Sequence, residues 1–253
     1  MRKIKSLVLT LLLVFSIFSV IRFYLVHAAY ETGATVITTT SATSIRWQRK
    51  TFYANGRFWL FWANGSGDSG YAWYSSSQDG INWETPTFLA STTYHHGESC
   101  GIWFDGTYVT VVVKQPGGYL KYRRGTPNAN GSITWHDSWQ TAWDIELGSY
   151  VVTDHYATVD SEGYPYITWS YGETAPGPRV TKSSLNNGTW QTADGYPMQL
   201  YPPYVYPITI VLPLSERKIY VIMVRGNCPL KGRFYNGTGW EPVENVSTSS
   251  IVE

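Results

Sequence analysis

The sequence predicts an all-β protein with the fold of a β-propeller, built from four-stranded antiparallel blades, and three observations support this prediction. Four tryptophans recur about every 50 residues, each after a turn that contains glycine: Trp83, Trp135, Trp190 and Trp240. Short aromatic and β-branched runs, separated by Asn-Gly and Asp-Gly turns, fill each interval. No helix pattern follows the N-terminal segment. A period of about 50 residues with several short strands is typical of one propeller blade.

Residues 1–28 predict a secretory signal peptide. Basic residues within the first five positions precede an apolar run from Leu7 to Ile21, and small residues stand near a cleavage point at Ala28. The apolar run is shorter than the roughly 20 residues that span a bilayer. We therefore expect a protein that is secreted or held at the extracytoplasmic cell surface, with no membrane span unless this segment is retained as an anchor.

The remaining chain divides into a leading segment and one domain. Residues 29–43 are rich in Thr and Ser, and residues 44–253 are predicted to form the propeller. Its four repeats cover approximately residues 44–92, 93–148, 149–200 and 201–248. A ring of four blades is small, and the final residues 249–253 resemble the approach to another inner strand. The chain is therefore either a four-bladed ring or part of a larger propeller.

Each repeat contains the same parts in the same order: an inner strand, a tight turn, a second strand, a loop, a third strand, the Trp-bearing turn and an outer strand. The second strands are hydrophobic throughout, as in strands buried on both faces, and are predicted at Arg57–Trp62, Tyr108–Val113, Tyr164–Trp169 and Lys218–Val224. The more polar third strands are predicted at Tyr71–Ser75, Tyr119–Arg123, Arg179–Ser183 and Lys231–Tyr235. Tryptophans within strands, Trp103 among them, are assigned to the core between blades.

Composition limits the classes of partner. The formal net charge is +1, which argues against nucleic acid and anionic membrane surfaces as partners. Cys100 and Cys228 are in different repeats, so free or buried thiols are favoured over a disulfide. Adjacent residues of a strand point to opposite faces, so His95 and His96 cannot both join one metal centre. We expect no cofactor and no metal.

A heptapeptide in the first repeat carries a family resemblance. It reads Ser77-Gln78-Asp79-Gly80-Ile81-Asn82-Trp83, and shorter versions begin at Asn130, Asn187 and Asn236. The segment resembles the Asp-box of the sialidase-like β-propellers, also called bacterial neuraminidase repeats. The resemblance implies a carbohydrate-active propeller in which the box residues Ser77, Asp79, Gly80 and Trp83 are structural and lie on the face opposite the active site.

The candidate site is therefore predicted at the rim opposite the Trp-bearing turns, where the inner strands begin. Inner strands converge on the central channel, so polar side chains that are distant in sequence can meet there. Carboxylates and imidazoles can transfer protons, which makes Glu98, Asp154 and His155 the catalytic candidates. The predicted substrate-binding residues are Arg46, His96, Tyr156, Arg179 and Tyr204. Alternatively, these side chains only form hydrogen bonds within the channel.

The sequence thus predicts an exported, sialidase-like β-propeller that binds carbohydrate at this rim. The sequence leaves open whether the protein also hydrolyses that carbohydrate. The enzyme, if it is one, would be a sialidase-like glycoside hydrolase. The alternative is a non-catalytic surface or adhesion propeller that binds a protein partner through its loops.

Overall fold

The computed structural model describes residues 49–66, 69–92, 100–115, 119–144, 152–171, 177–202, 208–224 and 228–248. These residues form β-strands and turns, and the predicted all-β class is confirmed. Within the same ranges, no helix has the length and hydrophobicity of a membrane span.

The strands form four antiparallel sheets, one for each predicted repeat, and we call these sheets blades 1 to 4. Blade 1 contains β1 (Thr51–Ala54), β2 (Arg57–Ser66), β3 (Ser69–Ser77) and β4 (Thr87–Thr92). Blade 2 contains β5 (Cys100–Phe104), β6 (Val109–Gln115), β7 (Tyr119–Pro127) and β8 (Ile133–Trp135), and β9 (Gln140–Asp144) also pairs with β7. Blade 3 contains β10 (Val152–Val159), β11 (Pro165–Tyr171), β12 (Arg179–Lys182) and β13 (Met198–Gln199). Blade 4 contains β14 (Ile208–Pro213), β15 (Ile219–Val224), β16 (Lys231–Tyr235) and β17 (Glu244–Asn245).

Within each blade the strands pair in chain order, from the inner strand outward. The predicted second strands are β2, β6, β11 and β15, and the predicted third strands are β3, β7, β12 and β16. Buried and half-buried residues alternate along β15 and most of β7, as the two-residue period of a strand predicts, whereas β6 is buried at six consecutive positions. Pro213 stands at the end of β14, where a missing backbone N–H costs no interior ladder bond.

Three hydrophobic layers hold the blades together, one between each pair of neighbours. The first layer joins Phe52, Trp59, Phe61 and Tyr74 of blade 1 to Ile102, Val109, Val111 and Val113 of blade 2. The second joins Val112, Leu120 and Tyr122 of blade 2 to Ala157, Ile167 and Trp169 of blade 3. The third joins Tyr166 and Val180 of blade 3 to Val211, Val221 and Met223 of blade 4. Blades 2 and 3 are therefore covered on both faces.

Three of the four recurring tryptophans, those of blades 2 to 4, lie between neighbouring blades. Trp135 meets Tyr74 of blade 1 edge to face, with ring centroids 6.4 Å apart. Trp190 packs on Tyr122 of blade 2 at 5.2 Å. The indole N–H of Trp240 donates to the hydroxyl of Tyr196, in blade 3, at 3.1 Å. Each of these Trp-bearing turns thus contacts an aromatic side chain of the preceding blade.

Buried arginines lie beneath the same turns. The Nε of Arg57 donates to the carbonyl oxygen of Ala129, in blade 2, at 2.7 Å. The Nη1 of Arg124 donates to the carbonyl oxygen of Asn186, in blade 3, at 2.6 Å. Gly188, which follows this turn with φ +100°, approaches Arg124 so closely that a Cβ would lie 3.1 Å from its Nε. Glycine is required here both for the positive φ and for the close contact.

The turns themselves are closed by an acidic or amide side chain at the same place in each repeat. The Oδ1 of Asp79 accepts hydrogen bonds from the backbone N–H groups of Asn82 and Ile81, at 2.7 and 2.8 Å. These bonds hold the pKa of Asp79 well below its usual range. Asn130, Asn187 and Asn236 accept equivalent bonds from the residue two positions later, at 3.0, 3.0 and 2.9 Å. An amide oxygen therefore replaces the carboxylate in three of the four repeats.

The close contact between Gly188 and Arg124 can be tested with alanine variants of two glycines that have similar φ angles. Gly106 has φ +104° and a Cβ added there would meet nothing within 4 Å, so Gly106→Ala measures the conformational strain alone. We expect Gly188→Ala to lower the free energy of unfolding by about 1–3 kcal/mol more than Gly106→Ala, because it also crowds Arg124. Urea denaturation of both variants measures the difference, and equal losses would contradict the docking of this turn on blade 2.

The Asp79 turn gives a second prediction, because three repeats already use asparagine at this place. We expect Asp79→Asn to lower the thermal unfolding midpoint at neutral pH by less than Asp79→Ala, since the amide oxygen still accepts the backbone hydrogen bonds and alanine accepts none. In the wild-type protein, the low pKa of Asp79 stabilises the fold above the pKa of the unfolded chain, and this contribution declines as the carboxylate is protonated in acid. The decline should be smaller in Asp79→Asn. Thermal melts at several pH values measure both effects.

Candidate functional site

The structure describes four of the predicted site residues. Asp154, His155 and Tyr156 are consecutive residues of β10, the inner strand of blade 3, and Arg179 begins β12. Arg46, His96, Glu98 and Tyr204 lie outside the described residues. That the side chains of Glu98 and Asp154 lie together in one site therefore remains a prediction.

The inner strands of successive blades lie side by side. β10 contacts β5 of blade 2 on one side and β14 of blade 4 on the other. Lys50, directly before β1, is buried and donates a hydrogen bond from Nζ to the carbonyl oxygen of Cys100, the first residue of β5. The beginnings of the inner strands of blades 1 and 2 are thereby joined. Cys100 is a free thiol, and burial raises its pKa to about 11.

His155 points into the layer between blades 2 and 3. Its side chain is almost completely buried, and Nε2 lies 3.2 Å from the carbonyl oxygen of Val112, so this nitrogen carries the proton and donates. Burial, together with the positive charges of Lys50 and Lys114, lowers the pKa of His155 to about 3. The imidazole is neutral at neutral pH. This position favours a structural role for His155 over the predicted catalytic one.

Tyr156, the next residue of β10, lies on the opposite face of the strand and meets Arg49. Burial raises the pKa of its hydroxyl, and the nearby backbone and positive charge of Arg49 act in the opposite direction. The Arg49 guanidinium in turn lies 5.2 Å from the centre of the Trp103 ring, in β5. Arg49, Trp103 and Tyr156 are all half-buried. We call these three residues the axial cluster, since they come from the inner-strand regions of blades 1, 2 and 3.

The β10 strand is irregular where the predicted catalytic residues begin. Its pairing with β11 shifts between Val152 and Asp154, after which Asp154 lies opposite Ser170 and Tyr156 opposite Thr168. Such irregularities are common beside active sites, where they change the direction of a side chain. Arg179 is separate from this region. It pairs with Trp169 of β11 and Gln199 of β13, and thus lies two strands outward from β10.

A pocket of about 510 Å³ lies at the opposite rim, between the first turns of blades 2, 3 and 4. Its walls include Trp103, Tyr108, Asp105 and Asp160. Asp105 accepts backbone hydrogen bonds from Thr107 and Tyr108, at 2.8 and 2.7 Å, and Asp160 closes its own turn in the same way. These carboxylates hold turns together. Across the described ranges, no group of three or more His, Cys, Asp or Glu side chains is arranged to hold a metal ion.

Trp103 is absent from the predicted site residues. The run Cys100-Gly101-Ile102-Trp103-Phe104 is uniformly apolar, which predicts a core position between blades for Trp103. In the structure, Cys100 and Ile102 pack in the layer against blade 1, whereas Trp103 lies half-buried on the other face of β5. Gly101 is on the same face as Trp103, and a Cβ added there would lie 3.4 Å from the carbonyl oxygen of His155. The two-residue period of the strand, which separates Trp103 from Cys100 and Ile102, is the signal that the sequence offers.

Solved structures of known proteins resemble this fold, although the sequence matches no protein-family model and no curated protein. The catalytic domain of a GH62 α-L-arabinofuranosidase from Coprinopsis cinerea superimposes with a TM-score of 0.53 at 13% identity, over 87% of this chain and 75% of that one. The α-L-arabinofuranosidase PaAbf62A from Podospora anserina, in complex with cellotriose, gives 0.53 at 14%, over 87% and 73%. The α-L-arabinofuranosidase CtGH43 from Clostridium thermocellum gives 0.50 at 13%, over 83% and 75%.

At 13–14% sequence identity, the similarity to these structures is evidence for the fold alone. The chain has a β-propeller fold like that of these glycoside hydrolases, which confirms the predicted fold class. The similar structures are arabinofuranosidases, and they do not support the sialidase specificity that the Asp-box resemblance implies.

The burial of His155 predicts a specific pH dependence of stability. The unfolded chain binds a proton on this residue near pH 6.5, whereas the folded chain does so only near pH 3. The free energy of unfolding therefore falls as the pH is lowered through this window, with a slope of up to about 1.4 kcal/mol per pH unit. His155→Gln should remove most of this slope. His136→Gln, at an exposed histidine whose pKa is also lowered by burial and by Arg124, is the comparison and should remove less of it. Urea denaturation between pH 7 and 4 measures it, and identical slopes in all three proteins would contradict the buried neutral state.

Proposed function

We propose that this chain is a carbohydrate-active β-propeller that binds a glycan at the axial cluster. The observation that carries the proposal is the meeting of Arg49, Trp103 and Tyr156, which three different blades supply. An indole ring packs against the apolar face of a sugar, while a guanidinium and a phenol hydroxyl form hydrogen bonds with its hydroxyl groups. Such a combination of aromatic surface with a few convergent polar groups is typical of small-molecule sites.

Proteins of similar fold provide support from their own ligands. PaAbf62A was solved in complex with cellotriose, and a GH62 hydrolase of TM-score 0.50 was solved in complex with xylotriose. Both ligands are neutral oligosaccharides of pyranose sugars. A neutral glycan therefore suits this chain better than a sialoside. The family that the Asp-box resembles grips the sialic acid carboxylate with three arginines, whereas among the described residues Arg49 is the arginine of the axial cluster.

We further propose that the bound glycan is hydrolysed. Glycoside hydrolysis uses two carboxyl groups on either side of the scissile bond, one as general acid and the other as base or nucleophile. The sequence supplies Glu98 and Asp154 as candidates for these roles, and Asp154 lies two residues before Tyr156 in β10. The signal-peptide pattern of residues 1–28 supports export, which would bring the protein to extracellular polysaccharides.

Glycan binding is tested with the mature chain on an array that includes cello-, xylo- and arabino-oligosaccharides together with sialosides. We expect binding to a neutral glycan, and at least a tenfold weaker affinity for Trp103→Ala, which corresponds to about 1.4 kcal/mol. Trp139→Ala is the matched control. Trp139 is also half-buried, also belongs to blade 2 and also lies beside an arginine, with Arg123 5.7 Å from its ring.

Hydrolysis is followed with fluorogenic glycosides of the sugar that binds. Asp154→Asn and Glu98→Gln should each abolish turnover while leaving the affinity for the glycan within a few-fold of the wild type. If the protein binds none of the glycans, the whole proposal is wrong and a propeller that binds a protein partner is favoured. Binding without turnover would remove the enzymatic part alone.

A further inference from the structure

The pocket between the first turns of blades 2, 3 and 4 shares only Trp103 with the axial cluster. Its volume of about 510 Å³ is within the range of about 300–1,000 Å³ that is typical of small-molecule sites. Three inner strands end at this pocket, since its walls include Trp103 and Phe104 of β5, Val159 of β10 and Pro213 of β14. Three blades therefore supply one concave surface at the rim opposite the predicted site.

The walls of the pocket combine apolar surface with hydrogen-bonding groups. Leu214 is 43% exposed and Trp103 is half-buried, so both lining residues leave apolar surface uncovered. Asp105 is exposed, and its Oδ1 accepts both turn bonds, from the backbone N–H groups of Thr107 and Tyr108. Its Oδ2 is thus available to a donor from outside the turn.

Asp160 leaves a second acceptor at the pocket. The residue is only 5% exposed, and its Oδ1 accepts the backbone N–H groups of Glu162 and Tyr164, each at 3.0 Å. Among the described residues, its Oδ2 has no hydrogen-bond partner. Buried polar atoms are nearly always paired, so this oxygen requires a donor that the described part of the chain does not supply.

The wall from blade 4 is held in one shape. Glu216 and Arg217, which follow the lining residue Ser215, have φ angles of +58° and +61°, in the left-handed region that non-glycine residues rarely adopt. The backbone N–H of Arg217 donates to the Oγ of Ser161, in the first turn of blade 3, at 2.9 Å, and its Nε lies 3.3 Å from the Oε2 of Glu162. Strained residues persist where their surroundings fix them, and they cluster at ligand sites. These contacts preorganise the pocket for a ligand.

The charges around the pocket favour a neutral ligand. Its described lining includes two carboxylates, Asp105 and Asp160, and no lysine, arginine or histidine, so an anion would meet like charge. The guanidinium groups of Arg49 and Arg124 lie 5.2 and 4.4 Å from the centres of two of its aromatic rings. They offset the carboxylates, so a cation gains little. A neutral molecule that carries hydroxyl groups suits both the acceptors and the apolar walls.

We propose that this pocket is a second sugar site, which binds a neutral mono- or disaccharide. A sugar ring presents C–H groups on its faces, which pack on Trp103 and Leu214, and hydroxyl groups at its edge, which donate to the Oδ2 atoms of Asp105 and Asp160. The choice of a sugar rests on the proposed function. The pocket itself does not, because it is built from the first turns and the ends of the inner strands.

Binding is measured by saturation-transfer-difference NMR, with titrations of arabinose, xylose, glucose, xylobiose and cellobiose. We expect at least one of these sugars to bind, and Asp105→Asn to weaken that binding about tenfold, because an NH₂ group replaces the free acceptor. The Asn oxygen still accepts the two turn bonds. Asp79→Asn is the matched control, since it makes the same exchange in an exposed turn outside the pocket, and it should leave the affinity unchanged.

A bulky variant tests the pocket by filling it. Thr107 is exposed and lines the pocket, so Thr107→Trp should abolish binding of the sugar. Thr87→Trp, at an exposed residue of blade 1, is its control and should bind as the wild type does. Thermal melts establish that each variant folds, and Asp105→Asn decides the test if Thr107→Trp does not.

The outcomes separate this site from the axial cluster, and Trp103 is left unchanged because it borders both. Equal affinity in the wild type and Asp105→Asn, with loss of binding in Arg49→Ala, would overturn the second site and support the axial one. Binding that survives Arg49→Ala but not Asp105→Asn would support the pocket and contradict the proposed site at the axial cluster. Binding of phenethylammonium in place of every sugar would overturn the sugar as the ligand, and no binding of any sugar would overturn both sites.

Discussion

The docking of the Trp-bearing turns of blades 2 to 4 onto the preceding blade is the interaction on which the rest of the structure depends. Hydrophobic layers hold neighbouring sheets together, but apolar contact is not directional and does not by itself fix how one sheet lies on another. The buried guanidinium groups of Arg57 and Arg124 supply that direction, because each donates to one carbonyl oxygen of the next blade. An unpaired buried charge is costly, so these bonds strongly favour a single arrangement of the sheets. Gly188 permits the close approach that such a bond needs.

The axial cluster is a consequence of this arrangement. Arg49, Trp103 and Tyr156 belong to three blades and are more than 50 residues apart in sequence, so only the placement of the blades brings them together. The repeats tolerate exchange of Asp for Asn in the turn, because an amide oxygen accepts the same backbone hydrogen bonds. The turns therefore differ in sequence while they keep equivalent backbone hydrogen bonds.

The sequence was sufficient to predict the blades but not the site, for a physical reason. A strand buried on both faces must be apolar at most positions, so β6 and β11 were visible as largely hydrophobic runs. Near the axis, residue type predicts the role of a side chain less well. The packing of the sheets decides which face of an inner strand contacts another blade, and the strand sequence alone does not specify that packing. His155 has the chemistry of a catalyst but lies in a layer between blades, and Trp103 has the composition of a core residue but lies beside Arg49. Tyr156, which the sequence did indicate, belongs to the cluster.

The composition of β2 is that of a strand with two apolar faces. Trp59 and Phe61 face blade 2, but Phe58, Leu60 and Trp62 on the other side of the same strand are as hydrophobic as the residues that pack. A strand that faced water on one side would alternate apolar with polar residues, and β2 does not. Its sequence is that of a strand covered on both faces, like β6.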